Sequence, residues 1–181
     1  MTRIAIIDRA EMDGEQARVF DAARNAGGVT GGPYYAYIRL PKLFEAAQNL
    51  RFCLHSGPLS DRERQIVNLV VARHWNARYP WVAQARQSLA VGLDQELIDA
   101  INARRTPALA DPREQVCHDV AKELLETRHL SDATYARAEA ALGLADLVAL
   151  AATTGSFTMT CLTANTFEVD PPEGAPTPLA G

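Results

Sequence analysis

Residues 60–93 read SDRERQIVNLVVARHWNARYPWVAQARQSLAVGL, and this stretch decides the fold. Ser60-Asp61-Arg62-Glu63 is a capping box: the Ser60 side chain accepts from the backbone three residues on, and Glu63 reaches back to the Ser60 N–H. The apolar run Ile66, Val67, Leu69, Val70, Val71 follows at once and predicts a helix reaching about Trp75. Tyr79-Pro80 then punctuates the chain. Pro80 lacks an N–H and clashes with the carbonyl four residues back, yet it suits the first turn of a new helix. That helix is predicted from about Pro80 to Val91, with Gly92 as its stop.

Outward from this pair the chain keeps a helical rhythm. Asp13 to Ala26 carries Ala17, Phe20 and Ala23 at helical spacing and is stopped by Gly27-Gly28. Gly27 to Pro33, with four glycines, is predicted as a loop, and Pro41 opens a helix presenting Leu43, Ala47, Leu50 and Leu54 on one face. Further helices are predicted over Asp94–Asn102, from Asp111 through Leu124, over Ser131–Leu142, and from Leu144 to Phe167. Strand-like alternation is confined to Arg3–Ile7. The reading is an all-α helical bundle with one domain over 1–169 and an extended Pro-rich tail over 170–181 that has little to bury.

Composition narrows the function. The 181 residues carry 18 Lys+Arg against 22 Asp+Glu, a net charge of −4 with no basic block, which argues against a nucleic-acid or anionic-membrane surface. The N-terminal apolar run of four residues is too short for a secretory signal. Asp146, Gly155 and several threonines interrupt the apolar stretch Leu142–Leu162, which reads as a buried helix rather than a span. A cytoplasmic protein is expected. Cys53, Cys117 and Cys161 lie far apart on apolar helix positions and are expected to be shielded thiols without a disulfide or zinc role. His55, His74, His118 and His129 are widely separated, and Glu114 with His118 four residues on reads as a helix-stabilising pair. No metal site and no cofactor are expected, since no metal, phosphate-loop or dinucleotide fingerprint occurs.

Residues 72–86, ARHWNARYPWVAQAR, with Ala90-Val91-Gly92-Leu93, resemble the signature helix pair of the carboxymuconolactone decarboxylase and alkylhydroperoxidase D-like family. The resemblance takes in Leu59–Val67 upstream and Leu130–Tyr135 downstream, and covers about Phe44 to Phe167. It implies an all-helical subunit assembling as a homotrimer or hexamer, with a pocket near the subunit interface. In the family's redox members it implies a C-x-x-C pair with a downstream His and an upstream Glu as proton relay. Here the matching positions are Ala77 and Pro80 for the cysteines, Gln84 for the His and Gln65 for the Glu. Glutamine hydrogen-bonds through both amide groups but does not titrate near neutral pH. Thiol peroxidase chemistry therefore has no nucleophile at the signature.

What the resemblance then implies is a lyase of aromatic-compound catabolism, acting on a small carboxylated or lactone-type substrate. In this reading Arg78 holds the anion, Gln65 and Gln84 orient its oxygen, His74 or Tyr79 moves the proton, and Trp81 forms a pocket wall. The alternative is a non-catalytic ligand-binding or structural oligomer of the same fold. Trp75 and Trp81 are also read as packing anchors, the arginines as surface or intersubunit pairs, and Tyr34 and Tyr35 as either a pocket lid or a core cap.

Overall fold

The computed structural model describes residues 2–171 and 178–181, and among them the regular structure is helical. The helices are α1 (Gly14–Asn25), α2 (Tyr34–Tyr37), α3 (Pro41–His55), α4 (Asp61–His74), α5 (Arg78–Ala90), α6 (Gln95–Asn102), α7 (Pro112–Thr127), α8 (Asp132–Leu142) and α9 (Leu144–Thr166). Arg9–Glu11 forms a 3-10 turn, and no strand forms at Arg3–Ile7, where the Arg3 N–H instead donates to the Phe167 carbonyl at 2.8 Å.

The predicted capping box starts α4: the Glu63 N–H donates to Ser60 Oγ (3.1 Å) and the Ser60 N–H to Glu63 Oε2 (2.7 Å). From Glu63 to Arg73 every residue of α4 is buried, so this helix is the axis of the bundle and packs chiefly against α7, α9 and α5. Its first turn is fastened by charge. Arg113 of α7 donates to Glu63 (2.8 Å) and to Asp146 of α9 (2.8 Å), while Arg62 pairs with Glu114 of α7 (2.6 Å). Glu63 and Glu114 are buried, so removing either arginine would strand a buried carboxylate, a loss of roughly 3–5 kcal/mol.

One apolar core gathers Ile66, Val67, Leu69 and Val71 of α4 with Trp81, Ile98, Val120, Leu150 and Cys161. A smaller one joins α1, α2 and α3 through Val19, Tyr34, Tyr37, Ile38 and Phe44. The short α2 is absent from the sequence reading. It exists because the Tyr34 ring meets Tyr37 and Phe44 edge-on, at 5.2 and 5.6 Å, and these contacts hold a single turn that propensity would not. α5 begins two residues earlier than predicted, at Arg78, which places Pro80 in the first turn where its missing N–H costs nothing.

α9 is long and apolar enough to cross a membrane by length and composition. Here it packs on α4, α5, α8 and α3, with Leu144, Val148 and Leu162 exposed on its outer side. Beyond α9 the tail departs from the expectation that it buries little. Residues 172–177 of the Pro-rich tail lie outside the described residues, but Leu179 packs against the main core, and Asn102 donates to the Pro178 carbonyl (3.0 Å) and accepts from the Ala180 N–H (2.9 Å). The end of the tail is thus docked, because one leucine and two backbone bonds are available to it there.

Candidate functional site

A cavity of about 590 Å³ opens between α3, α4, α5, α9 and the glycine loop. α4 contributes Arg64 and Asn68, four residues apart and hence on one face. α5 contributes Tyr79, Pro80, Gln84 and Gln87, α3 contributes Arg51 and His55, and α9 adds Phe157 among threonines. The glycine loop closes one side through Val29 and Pro33 and is clamped by the buried Gln48, whose amide accepts from the Val29 N–H (3.2 Å) and donates to the Val29 carbonyl. Gly32 sits at φ +62°, and a Cβ there would fall 2.2 Å from the Tyr79 ring, so only glycine lets the loop lie against this tyrosine.

The polar groups fall into two sets. On the α4–α5 side they are amides: Asn68 Nδ2 donates to Gln84 Oε1 (3.3 Å). Behind them Gln65 Nε2 donates to Gln87 Oε1 (3.3 Å), and Ser88 Oγ donates to Gln65 Oε1 (3.5 Å). On the α3 side and at the start of α4 they are cations. Arg64 is buried, donates through Nη1 to the Leu59 carbonyl (3.2 Å) and pairs with Asp61 through Nη2. Its Nε is buried with no hydrogen-bond partner. A charged donor left unpaired in the interior is costly.

Arg51 lines the same space, as does Arg86 from the α5 side, and among the described residues no Asp or Glu does. Burial, reinforced by Arg51 and then Arg64, pushes His55 down to about 4, so its imidazole is neutral at pH 7. Burial holds the phenols of Tyr79 and Tyr34 above their ordinary range, so both keep their protons. The cavity therefore combines a positive corner, a row of amides, one neutral imidazole and protonated phenols. Among the described residues no three His, Cys, Asp or Glu side chains come together as a metal site.

Of the residues singled out in the sequence, Tyr79 and Gln84 line the cavity. Gln65 stands one hydrogen bond behind the wall. Arg78 is exposed at the first position of α5 and does not line the cavity, whereas Arg64 and Arg51 do. Trp81 is fully buried in the main core, because in a helix that starts at Arg78 its side chain faces α4 rather than the cavity. His74, at the far end of α4, lines a different pocket. Trp75 is half-buried, with its indole N–H donating to Thr158 Oγ1 at 3.4 Å. Tyr34 is both core cap and cavity wall.

The thiols also need one correction. Cys117 and Cys161 are buried, and burial pushes Cys117 up to about 12, but Cys53 is exposed on the outer side of α3. Arg51, His55, Arg64 and Asn68 were not identified from the sequence. Their signal was present as i, i+4 pairs, Arg51 with His55 and Arg64 with Asn68, yet only the approach of α3 to α4 shows that the two pairs face one space.

No protein-family model matches the chain, and no curated protein matches it in sequence. Solved structures do match. An uncharacterized peroxidase-related protein from Silicibacter sp. TM1040 aligns with TM-score 0.76 at 22% identity over 96% of this chain and 93% of that one. An uncharacterized peroxidase-related protein from Ralstonia eutropha JMP134, described as an alkylhydroperoxidase AhpD core, aligns with TM-score 0.74 at 19% identity over 95% and 93%. A debrominase, as a cysteine-to-alanine variant in complex with 2,3,4-tribromopyrrole, aligns with TM-score 0.75 at 12% identity over 96% and 95%. In its helical order and in nearly its whole length, this chain has the alkylhydroperoxidase D-like fold.

Proposed function

We propose that the cavity binds a small carboxylated or lactone-type organic molecule and that the chain acts on it as a carboxymuconolactone decarboxylase-like lyase, without redox cysteines. The observation that carries this reading is the set of arginines, Arg51, Arg64 and Arg86, that line the cavity with no Asp or Glu among its described lining residues. Arg64 and Arg51 take the anionic group of the substrate, and the amides of Asn68 and Gln84 orient a second oxygen. Phe157, Pro80 and Val82 supply apolar surface for the carbon skeleton. Loss of CO2 breaks the carbon–carboxylate bond and leaves its electron pair on the skeleton. The Tyr79 O–H, kept protonated by burial, donates the proton to that carbon and is reprotonated by solvent. His55 takes the place of His74 as the neutral imidazole of the site. The debrominase complex supports a small-molecule role, since its ligand is a compact ring held by a protein of the same fold.

The test is incubation with carboxylated lactones while CO2 release is followed, for the wild type and Tyr79→Phe. Turnover that Tyr79→Phe loses while still binding the acid is the expected result. Binding without turnover in the wild type would favour the non-catalytic ligand-binding reading, to which the glutamines at positions 65 and 84 point. Absence of both binding and turnover would sink the proposal.

The exposed outer side of α9, with Leu144 and Val148 each more than half exposed beside Ala151, Ala152 and Gly155, suits close helix packing against a second copy. We propose a homotrimer or hexamer in the cytoplasm, with no nucleic-acid or membrane partner. A monomeric mass by light scattering at micromolar concentration would refute the assembly.

A further inference from the structure

The second cavity, of about 110 Å³, lies at the opposite end of α4 and shares no lining residue with the first. Arg73, His74, Arg104, Arg105, His118 and Lys122 line it, with Glu126 as the one carboxylate among its described lining residues. Four permanent cations thus face one acid.

Part of this charge has a structural role. Arg73 is buried, donates through Nε to the Asn102 carbonyl (2.6 Å) at the end of α6, and bonds Asn76 Oδ1 through Nη1. Arg104 Nη2 donates to the same Asn76 Oδ1 (3.2 Å) and to the Arg73 carbonyl (3.4 Å). Both arginines answer the carbonyl ends of helices, an ordinary place for cations. Asn76 and Arg104 both hold positive φ, 48° and 57°, a conformation that side-chain-bearing residues enter at a cost.

Helix-end chemistry does not account for the rest. The charged groups of Arg105 and Lys122 make no hydrogen bond or ion pair among the described residues. His118 is buried, and Asp119 Oδ1 lies 2.9 Å from its Nδ1. With a carboxylate as acceptor, Nδ1 is the donor, which fixes the ring and leaves Nε2 as its second polar atom. His74 stands beside it, held below its ordinary range by burial and by Arg104. Arginine forks, a lysine point charge and a fixed imidazole around a space too small for the body of an organic acid match a compact, multiply charged oxyanion.

We propose that this pocket binds a phosphoryl group, carried as free phosphate or on a small phosphomonoester, through Arg105 and Lys122 with Arg73, Arg104 and His118 as the prearranged base of the site. The proposal is independent of the reaction assigned to the larger cavity.

Calorimetric titration with inorganic phosphate and with glycerol 3-phosphate, against sodium chloride of matched ionic strength, tests it. The expected result is saturable binding by one or both, weakened at least tenfold in Arg105→Ser/Lys122→Ser and unchanged in Arg64→Met. Because the two substituted side chains make no hydrogen bond or ion pair among the described residues, the double variant should keep close to the wild-type unfolding midpoint in the absence of phosphate. Tighter binding of inorganic phosphate marks the free ion as the ligand, and tighter binding of the ester marks a metabolite. No binding beyond the chloride control, unchanged affinity in the double variant, or loss of binding in Arg64→Met would each overturn the assignment.

Discussion

Along α4 and α5 the main cavity presents amides, with Asn68 and Gln84 joined at 3.3 Å, whereas α3 and the first turns of α4 present Arg51, His55 and Arg64. Apart from Arg86 of α5, the polar groups of the first wall are neutral, and its amides cannot change their protonation near neutral pH. The second is charged and contains a buried donor without a partner; Asp61 pairs with Arg64, but among the described residues no Asp or Glu lines the cavity. On this difference the proposed function assigns recognition and proton chemistry to different groups. In that proposal charge selects the ligand at one wall, hydrogen bonding orients it at the other, and the donated proton comes from Tyr79, which the glycine loop lies against.

The largest expected effect is on the loop that holds Tyr79 in place between these walls. Gly32→Ala combines a left-handed backbone with a Cβ 2.2 Å from the Tyr79 ring, so it should cost roughly 2–4 kcal/mol in denaturant unfolding. A change below a few tenths would mean that the loop is not fixed against the ring.

Next in size is the contrast between the walls themselves. Loss of a charge-assisted bond removes about 1.5–3 kcal/mol, so Arg64→Met should weaken binding of a carboxylate at least tenfold, whereas Gln84→Leu removes a neutral bond worth about 1 kcal/mol. Equal effects of the two substitutions, measured by calorimetry, would erase the distinction.

The charged wall also makes a pH prediction. His55 falls from 6.5 in the unfolded chain to about 4 in the fold, so between these values the unfolded state holds more protons. Stability therefore rises with pH from about 4 to 6.5 and is lost as pH falls through that window. Because His55 is half-buried, solvent screening reduces its contribution to about 1 kcal/mol. His55→Gln should flatten this part of the stability curve, and an unchanged slope would show that the imidazole is not desolvated by the fold.

Much of this architecture is legible in the sequence. The capping box at Ser60, the stops at Gly92 and Gly143 and the first-turn prolines at Pro41 and Pro112 are local signals, and local hydrogen bonds enforce them. The single turn α2 is not legible, because it is held by ring contacts to Phe44 rather than by its own propensity. The site is legible only along one wall. Tyr79 and Gln84 lie within the signature stretch, but Arg51 and His55 belong to a helix whose inward face follows from its docking against α4. Arg78 and His74 belong to the same stretch, but Arg78 is exposed at the start of α5 and His74, at the far end of α4, lines the other pocket, which only the packed helices reveal.

The smallest expected signal comes from the thiols. Cys53 is exposed while Cys117 and Cys161 are buried, so one thiol should react rapidly with an aromatic disulfide reagent in the native protein, and all three after denaturation. With no second thiol shown within reach of Cys53, dithiol-driven peroxide consumption should stay at the level of a variant with all three cysteines changed to Ser. Activity that this variant loses would move the chemistry from the charged wall to α3's outer face.

The central claim, that an anionic group is recognised at the Arg51–Arg64 corner, is tested most directly by comparing a carboxylated lactone with its methyl ester in one calorimetric series. Esterification removes the charge and leaves the skeleton for the apolar wall. The account predicts that the acid binds at least tenfold more tightly than the ester and that Arg64→Met abolishes this preference. Equal affinity of acid and ester in the wild type would contradict it.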